Sequence, residues 1–216
     1  MTRQRGGIAL RMALLGTLAL LASCAAIGYL RVTAVPDLGA PPRGPSAGTT
    51  QIEVAASLGT QLVKSLITAE HAKVSLSEQD LTVVVTANNP DPRRFASPSV
   101  RVRDGLVVVA ADTDFGPLSV TGIGRVALVL TGGSDGLPDI AVEVREIDAG
   151  ELTLPGFARD DIARRMQQSL TMRHLFGANP ALSRLRPYLE CVGVSAVAVV
   201  LGFRRPLATP RSDTCA

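Results

Sequence analysis

The sequence predicts an α+β fold: an antiparallel sheet with one apolar face, covered by amphipathic helices and preceded by an N-terminal membrane segment. Three observations predict it. Between Ser99 and Pro155, apolar and polar residues alternate over several consecutive segments, the period of two that marks strands with one buried face. Val54, Leu58, Leu62 and Leu66 recur every fourth residue, the spacing of a helix with an apolar stripe. Met12 to Leu30 is uncharged and close in length to the ~20 residues that span a bilayer.

The chain of 216 residues suffices for one domain plus appendages. Apolar residues make up 46%, ample for a core, while aromatics are only 3% and Trp is absent. The net charge is a mild +3, carried almost wholly by Arg, with Lys only at Lys64 and Lys73. The Arg residues form no basic run with interleaved aromatics, so no nucleic-acid partner is expected.

Arg3, Arg5 and Arg11 precede the apolar run. This bias keeps the N-terminus inside the cytoplasm and places everything after Arg31 outside it. Leu21-Ala22-Ser23-Cys24 within the run resembles a bacterial lipobox, cut before a Cys that is then acylated. Two readings stand. In the first, residues 1–31 are a single uncleaved transmembrane helix, and Cys24 is a small residue within it. In the alternative, they hold a lipoprotein signal and the protein is anchored through Cys24. Both put the rest of the chain outside the bacterial cell membrane. Residues 32–50, with Pro36, Pro41, Pro42, Pro45, Gly39, Gly44 and Gly48, have the composition of an unpacked linker.

The domain is expected over residues 51–204. Its first helix carries Val54, Leu58, Leu62 and Leu66, with Ala55, Val63 and Ile67 beside them. Ser77 and Asp80 suit a helix N-cap, whereas Val83-Val84-Val85 favours a strand; Asn88-Asn89-Pro90 ends the segment. Val100 and Val102 then start the sheet, with Arg101 and Arg103 opposed to them. Asp104-Gly105 is a tight hairpin turn whose two central residues need positive φ. Leu106, Val108 and Ala110 are expected on the same even face as Val100. Leu118, Val120, Val126, Leu128 and Leu130 continue that face, followed by Ile140, Val142 and Val144. Ser119, Thr121, Arg125, Thr131, Glu143 and Arg145 point away from it, where Val107, Val109 and Val129 are also expected.

After Leu154-Pro155-Gly156 a second amphipathic helix is expected, with Asp160 and Asp161 in its first turn and Ile162, Met166 and Leu170 as its stripe. Asn179-Pro180 ends it. Val192 to Phe203 reads as one closing strand, with Val197, Val199 and Leu201 on the face opposite the main one. Residues 205–216 read as a flexible tail.

No catalytic or metal-binding residue is nominated, and no cofactor is expected. Gly122-Ile123-Gly124-Arg125-Val126-Ala127 matches a dinucleotide loop in letters only, because its glycines sit inside a strand pattern. Gly132-Gly133-Ser134-Asp135-Gly136 lacks the helix that must follow a nucleophile elbow and reads as a hairpin turn. His71 and His174 have no ligand spacing and read as surface residues near helix ends. Cys191 and Cys215 lie outside the membrane, where they can pair as a disulfide.

The order of these elements carries a resemblance. An N-terminal membrane segment, a linker and an amphipathic helix precede Leu76-Ser77-Glu78-Gln79-Asp80-Leu81-Thr82. Hairpins around Arg103-Asp104-Gly105 come next, then Gly150-Glu151-Leu152-Thr153-Leu154-Pro155, a helix and a final strand. Over roughly residues 50–204 the chain resembles the bacterial membrane-anchored YpmS-like and LmeA-like proteins, which resemble the tubular lipid-binding (TULIP) superfamily. The resemblance implies a highly curved antiparallel sheet wrapped around a long amphipathic helix, with a second helix, and a lipid- or amphiphile-binding function without catalytic residues.

On that expectation Leu118, Val120, Val126, Leu128, Leu130, Ile140, Val142 and Val144, with Leu58, Leu62 and Leu66, contact the ligand. That ligand is a lipid or a lipid-linked glycan, and the sequence names no protein partner. The alternative is a structural or assembly protein of the envelope with a dry core.

Overall fold

The computed structural model describes residues 5–39, 49–89, 91–115, 118–156, 159–160, 164, 180–210 and 215; the side chains of 5–16, 18, 115 and 180–182 are not among them. The fold is α+β. Helix α1 (Arg5–Thr33) is followed by α2 (Gln51–Thr68), strand β1 (His71–Ser77) and α3 (Glu78–Ala87). Strands β2 (Ala96–Arg103), β3 (Leu106–Phe115), β4 (Leu118–Gly132), β5 (Pro138–Ala149) and the short β6 (Leu152–Thr153) form a meander. Helix α4 (Pro180–Leu185), a 3-10 turn at Arg186–Tyr188, and β7 (Leu189–Val194) and β8 (Ala198–Arg204) complete the order. The strands make two antiparallel sheets, β2-β3-β4-β5-β6 and β1-β8-β7.

Local chemistry sets the element ends. Thr50 caps α2 and Ser77 caps α3, each in a reciprocal capping box with Glu53 or Asp80. This cap overrides the strand propensity of Val83-Val84-Val85, which lie in α3. Arg205 closes the other end of α2, its guanidinium donating to the carbonyls of Leu66 and Ile67 at 2.7–3.0 Å. Asp104 (φ 52°) and Gly105 (φ 73°) make the expected hairpin turn.

That turn also corrects the expected faces. A two-residue turn pairs Arg103 with Leu106 and Val102 with Val107, so the inward face passes from even to odd numbers. Val107 and Val109 therefore share the inner face with Val100 and Val102, while Val108 and Ala110 lie on the outer one. The β3–β4 connection, Phe115 opposite Leu118, switches the numbering back. The even residues of β4 face inward as expected, and a bulge between Arg125 and Val126 shifts the β5 register.

Val192 to Phe203 is not one strand. Ser195 breaks it into the β7–β8 hairpin, its hydroxyl donating to the Ala198 carbonyl at 2.9 Å and accepting from the Ala198 N–H at 3.1 Å. Val199 and Leu201 belong to the core rather than to an opposite face, and Val197 is exposed at the turn.

One apolar core joins both sheets, α2 and α3. Leu62 of α2 and Val100 of β2 are fully buried in it, as are Leu201 and Phe203 of β8 almost completely. Strand β2 is an edge of its sheet, and α3 lies along it. The Val100 N–H donates to Thr82 Oγ1 at 3.0 Å and the Val102 N–H to Glu78 Oε1 at 2.8 Å, which satisfies the edge with side chains.

Backbone at Gly156, Arg159, Asp160 and Arg164 is helical, whereas the stripe Ile162, Met166 and Leu170, Asp161, and His174 lie outside the described residues, as do Pro90 and the linker residues Pro41, Pro42, Gly44, Pro45 and Gly48. Among the described residues no helix is long and apolar enough to cross a membrane; the run Met12–Leu30 lies partly outside the described side chains.

Candidate functional site

The inner face of the five-stranded sheet is built by register. Val126 faces Val144, Leu128 faces Val142 and Leu130 faces Ile140 across β4 and β5. Such opposed apolar pairs give a sheet a continuous greasy surface. Leu58, Leu62 and Leu66 of α2 join them in one cluster. The burial is graded. Leu58, Leu62, Val126, Ile140 and Val142 are buried, while Leu66, Leu128, Leu130 and Val144 are only partly so. Leu118 and Val120 lie on the same face toward the start of β4, outside that cluster, with Val120 buried. Nine of the eleven expected ligand-contacting residues thus meet in one cluster.

Polar locks hold the two ends of this surface. At the β4–β5 hairpin the buried Arg186 donates to the Asp135 carboxylate at 2.6 Å and to the Pro138 carbonyl at 2.9 Å, and pairs with Asp139 at 3.3 Å. The Leu137 N–H first, and Arg186 second, hold the Asp135 carboxyl below its ordinary value. The Gly-x-Ser-x-Gly letters are this turn, and a strand follows them. Gly122 and Gly124 lie within β4, paired with β3 on one side and β5 on the other. Neither motif has the helix its chemistry requires.

At the other end, on the outer face, Arg125 pairs with Glu146 at 2.8 Å and with Asp148. Arg101 is buried on the same face, two strands away from Arg125 with Val108 between them, and burial pushes its guanidinium below its ordinary value. Arg101 Nε and Asp148 Oδ1 are buried without a hydrogen-bond partner among the described residues.

The remaining nominated residues fall elsewhere. Cys191 and Cys215 are bonded, with 5.4 Å between their Cα atoms. Gly202 lies opposite Cys191 on β8, where a Cβ would overlap the Cys191 sulfur. Cys215 is buried, Arg205 donates from its backbone to the Glu70 carbonyl at 2.7 Å, and Arg204 donates to the Ala208 carbonyl at 3.0 Å. The segment read as a flexible tail is thus fastened at Arg205, Ala208 and Cys215. Cys24 is a free, exposed thiol on α1. His71 is not a simple surface residue: it starts β1 half-buried, with Nδ1 2.8 Å from Glu190 Oε2. Among the described residues no group of His, Cys, Asp or Glu could hold a metal ion.

Sequence reasoning missed Arg186, Arg205 and the α3 side chains that guard β2. Each acts over a long chain separation, which periodicity does not register. No family model, no curated protein and no solved structure matches this chain.

Proposed function

We propose that the chain is a membrane-anchored, extracytoplasmic protein of the bacterial cell envelope that binds a lipid or another amphiphile, including a lipid-linked glycan, in the manner of tubular lipid-binding domains. In this reading the inner face of the five-stranded sheet, clustered with Leu58, Leu62 and Leu66 of α2, is offered to acyl chains. The observation that carries this reading is the graded cluster: Leu66, Leu128, Leu130 and Val144 are incompletely buried yet continuous with a fully buried apolar core. Each methylene group that such a surface removes from water contributes about 0.8 kcal/mol, so a long chain needs no polar partner to be held.

The anchoring half of the reading rests on α1. Its Leu20, Leu21, Ile27 and Leu30 are each more than half exposed, on several sides of one helix. A helix apolar all round requires an apolar surrounding, and a bilayer supplies it. Arg3, Arg5 and Arg11 keep the N-terminus cytoplasmic. Acylation at Cys24 is the alternative form of the same tether.

A second reading, a ligand-free structural or assembly protein, is favoured by one observation: Leu62, Val126 and Val142 are at most 2% exposed, as in a dry core. Organic extraction of the purified protein followed by mass spectrometry separates the two. The first reading expects lipid at a fixed ratio to protein, and repeated absence of lipid would leave the second.

A further inference from the structure

The chain leaves α1 along a fixed path. Helix α1 runs without interruption past the apolar run through Arg31, Val32 and Thr33, and Thr33 Oγ1 donates to the Tyr29 carbonyl at 2.8 Å. The Arg31 carbonyl accepts a 2.8 Å hydrogen bond from the backbone N–H of Glu151, in the turn between β5 and β6. Gly150 in that turn has φ +60°, and a Cβ there would overlap the carbonyl oxygens of Arg31 and Val32. Farther on, Leu38 packs against Val108, Ala110 and Ile123 on the outer face of the sheet. Gly39 ends beside the Arg103 guanidinium, 3.4 Å from where its Cβ would be. The first part of the expected linker is therefore a strap on the sheet, because the parity change at Asp104-Gly105 puts apolar Val108 and Ala110 on that outer face.

We propose that this strap clamps the domain to its membrane segment in one orientation, so that the β5–β6 turn lies in the headgroup layer of the bilayer and the β4–β5 hairpin points away from it. The inference rests on the anchoring reading above. Its partner is a phospholipid surface. Arg31 is the first charged residue after the apolar run, and the polar layer on each side of a bilayer is roughly 5–8 Å deep. Glu151 is bonded to Arg31, and Leu152, exposed at 42%, follows it only ~3.8 Å along the chain. Strand β5 separates this turn from the β4–β5 hairpin by about 36 Å, at roughly 3.3 Å per residue. The nearby Asp112, Asp114 and Glu151 are exposed acids, so the tether rather than charge attraction sets the contact, and it persists on a zwitterionic surface.

The absence of native Trp makes the test direct. Leu152→Trp and Ser134→Trp are made separately in the full-length protein and reconstituted into phosphatidylcholine vesicles that carry a nitroxide on a fraction of the headgroups. Both positions are exposed, so both variants are expected to fold. The expected result is emission quenched severalfold more in Leu152→Trp than in Ser134→Trp, at low and at high salt alike. Adding Gly150→Val, which drives a side chain into the α1 carbonyls, should erase most of that contrast. Protein that does not float with the vesicles overturns the anchoring reading and this inference with it. Protein that floats with both positions quenched alike, or a contrast that Gly150→Val leaves intact, overturns the fixed orientation alone.

Discussion

Removing Glu78 should open the edge of the five-stranded sheet. Its Oε1 accepts from the Val102 N–H at 2.8 Å and from Arg103 at 2.7 Å. Val102 is fully buried, so its N–H has no water to turn to when the carboxylate goes. A hydrogen bond to a charged group contributes about 1.5–3 kcal/mol. The ion pair with Arg103, whose side chain is 46% exposed, adds about 0–1 kcal/mol. Glu78→Ala should therefore cost about 2–3 kcal/mol. Glu78→Gln keeps the acceptor and loses only the charge at the helix N-terminus and the ion pair, so it should cost about 1 kcal/mol or less. Urea unfolding of the full-length protein in detergent, followed by circular dichroism, measures both. Hydrogen exchange at the Val102 amide should quicken in the Ala variant and not in the Gln one. Equal costs for the two variants would refute the claim that α3 serves as the cover of β2.

Other outcomes follow from the same contacts. Cys215→Ser opens the disulfide loop, whose sequence separation is 24, and should cost about 3.5 kcal/mol by chain entropy, read as a lower urea midpoint. Gly202→Ala should produce titratable thiols or a comparable loss, because its Cβ overlaps the Cys191 sulfur. The Asp135 carboxyl is held below its ordinary value, so its contribution is complete above the unfolded-state pKa and is lost as pH falls through the depressed folded-state value. Asp135→Asn should accordingly remove part of the acid-side loss of stability in pH-dependent melts while leaving fewer degrees between neutral and acid midpoints. Cys24→Ala should leave membrane association unchanged if α1 spans the bilayer; loss of association would assign the tether to acylation.

Much of the scaffold is legible in the residues. Ser77 and Asp80 announce the α3 cap, Asp104-Gly105 the hairpin, and the even residues of β4, with Ile140, Val142 and Val144 of β5, the inner face. What the sequence does not carry is parity across turns. Val107 and Val109 read as outward because alternation was continued through a two-residue turn that pairs odd with even positions. β1 was hidden for a related reason: Ala72, Val74 and Leu76 alternate cleanly, yet their partners Phe203, Leu201 and Val199 lie more than a hundred residues away. Ser195 shows a local signal that was present and outweighed, since a lone hydroxyl interrupts an otherwise continuous apolar run. The strap from Arg31 to Gly39 was masked by its Pro- and Gly-rich composition, which describes conformational freedom in isolation and not the apolar surface that Leu38 finds.

The central claim is that the partly buried inner face takes lipid. Leu128, paired with Val142 and half-buried on that face, is the position to test. Leu128→Asp sets an unpaired carboxylate against acyl chains, an unfavourable burial; Thr131→Arg, an exposed change on the outer face opposite Asp139, is its control. The measurement is the molar ratio of lipid to folded protein after identical purification, with folding verified by circular dichroism. The account predicts a constant ratio in the wild type and in Thr131→Arg, and its loss in folded Leu128→Asp. A folded Leu128→Asp that retains the wild-type ratio, or a wild type that never carries lipid, would contradict it.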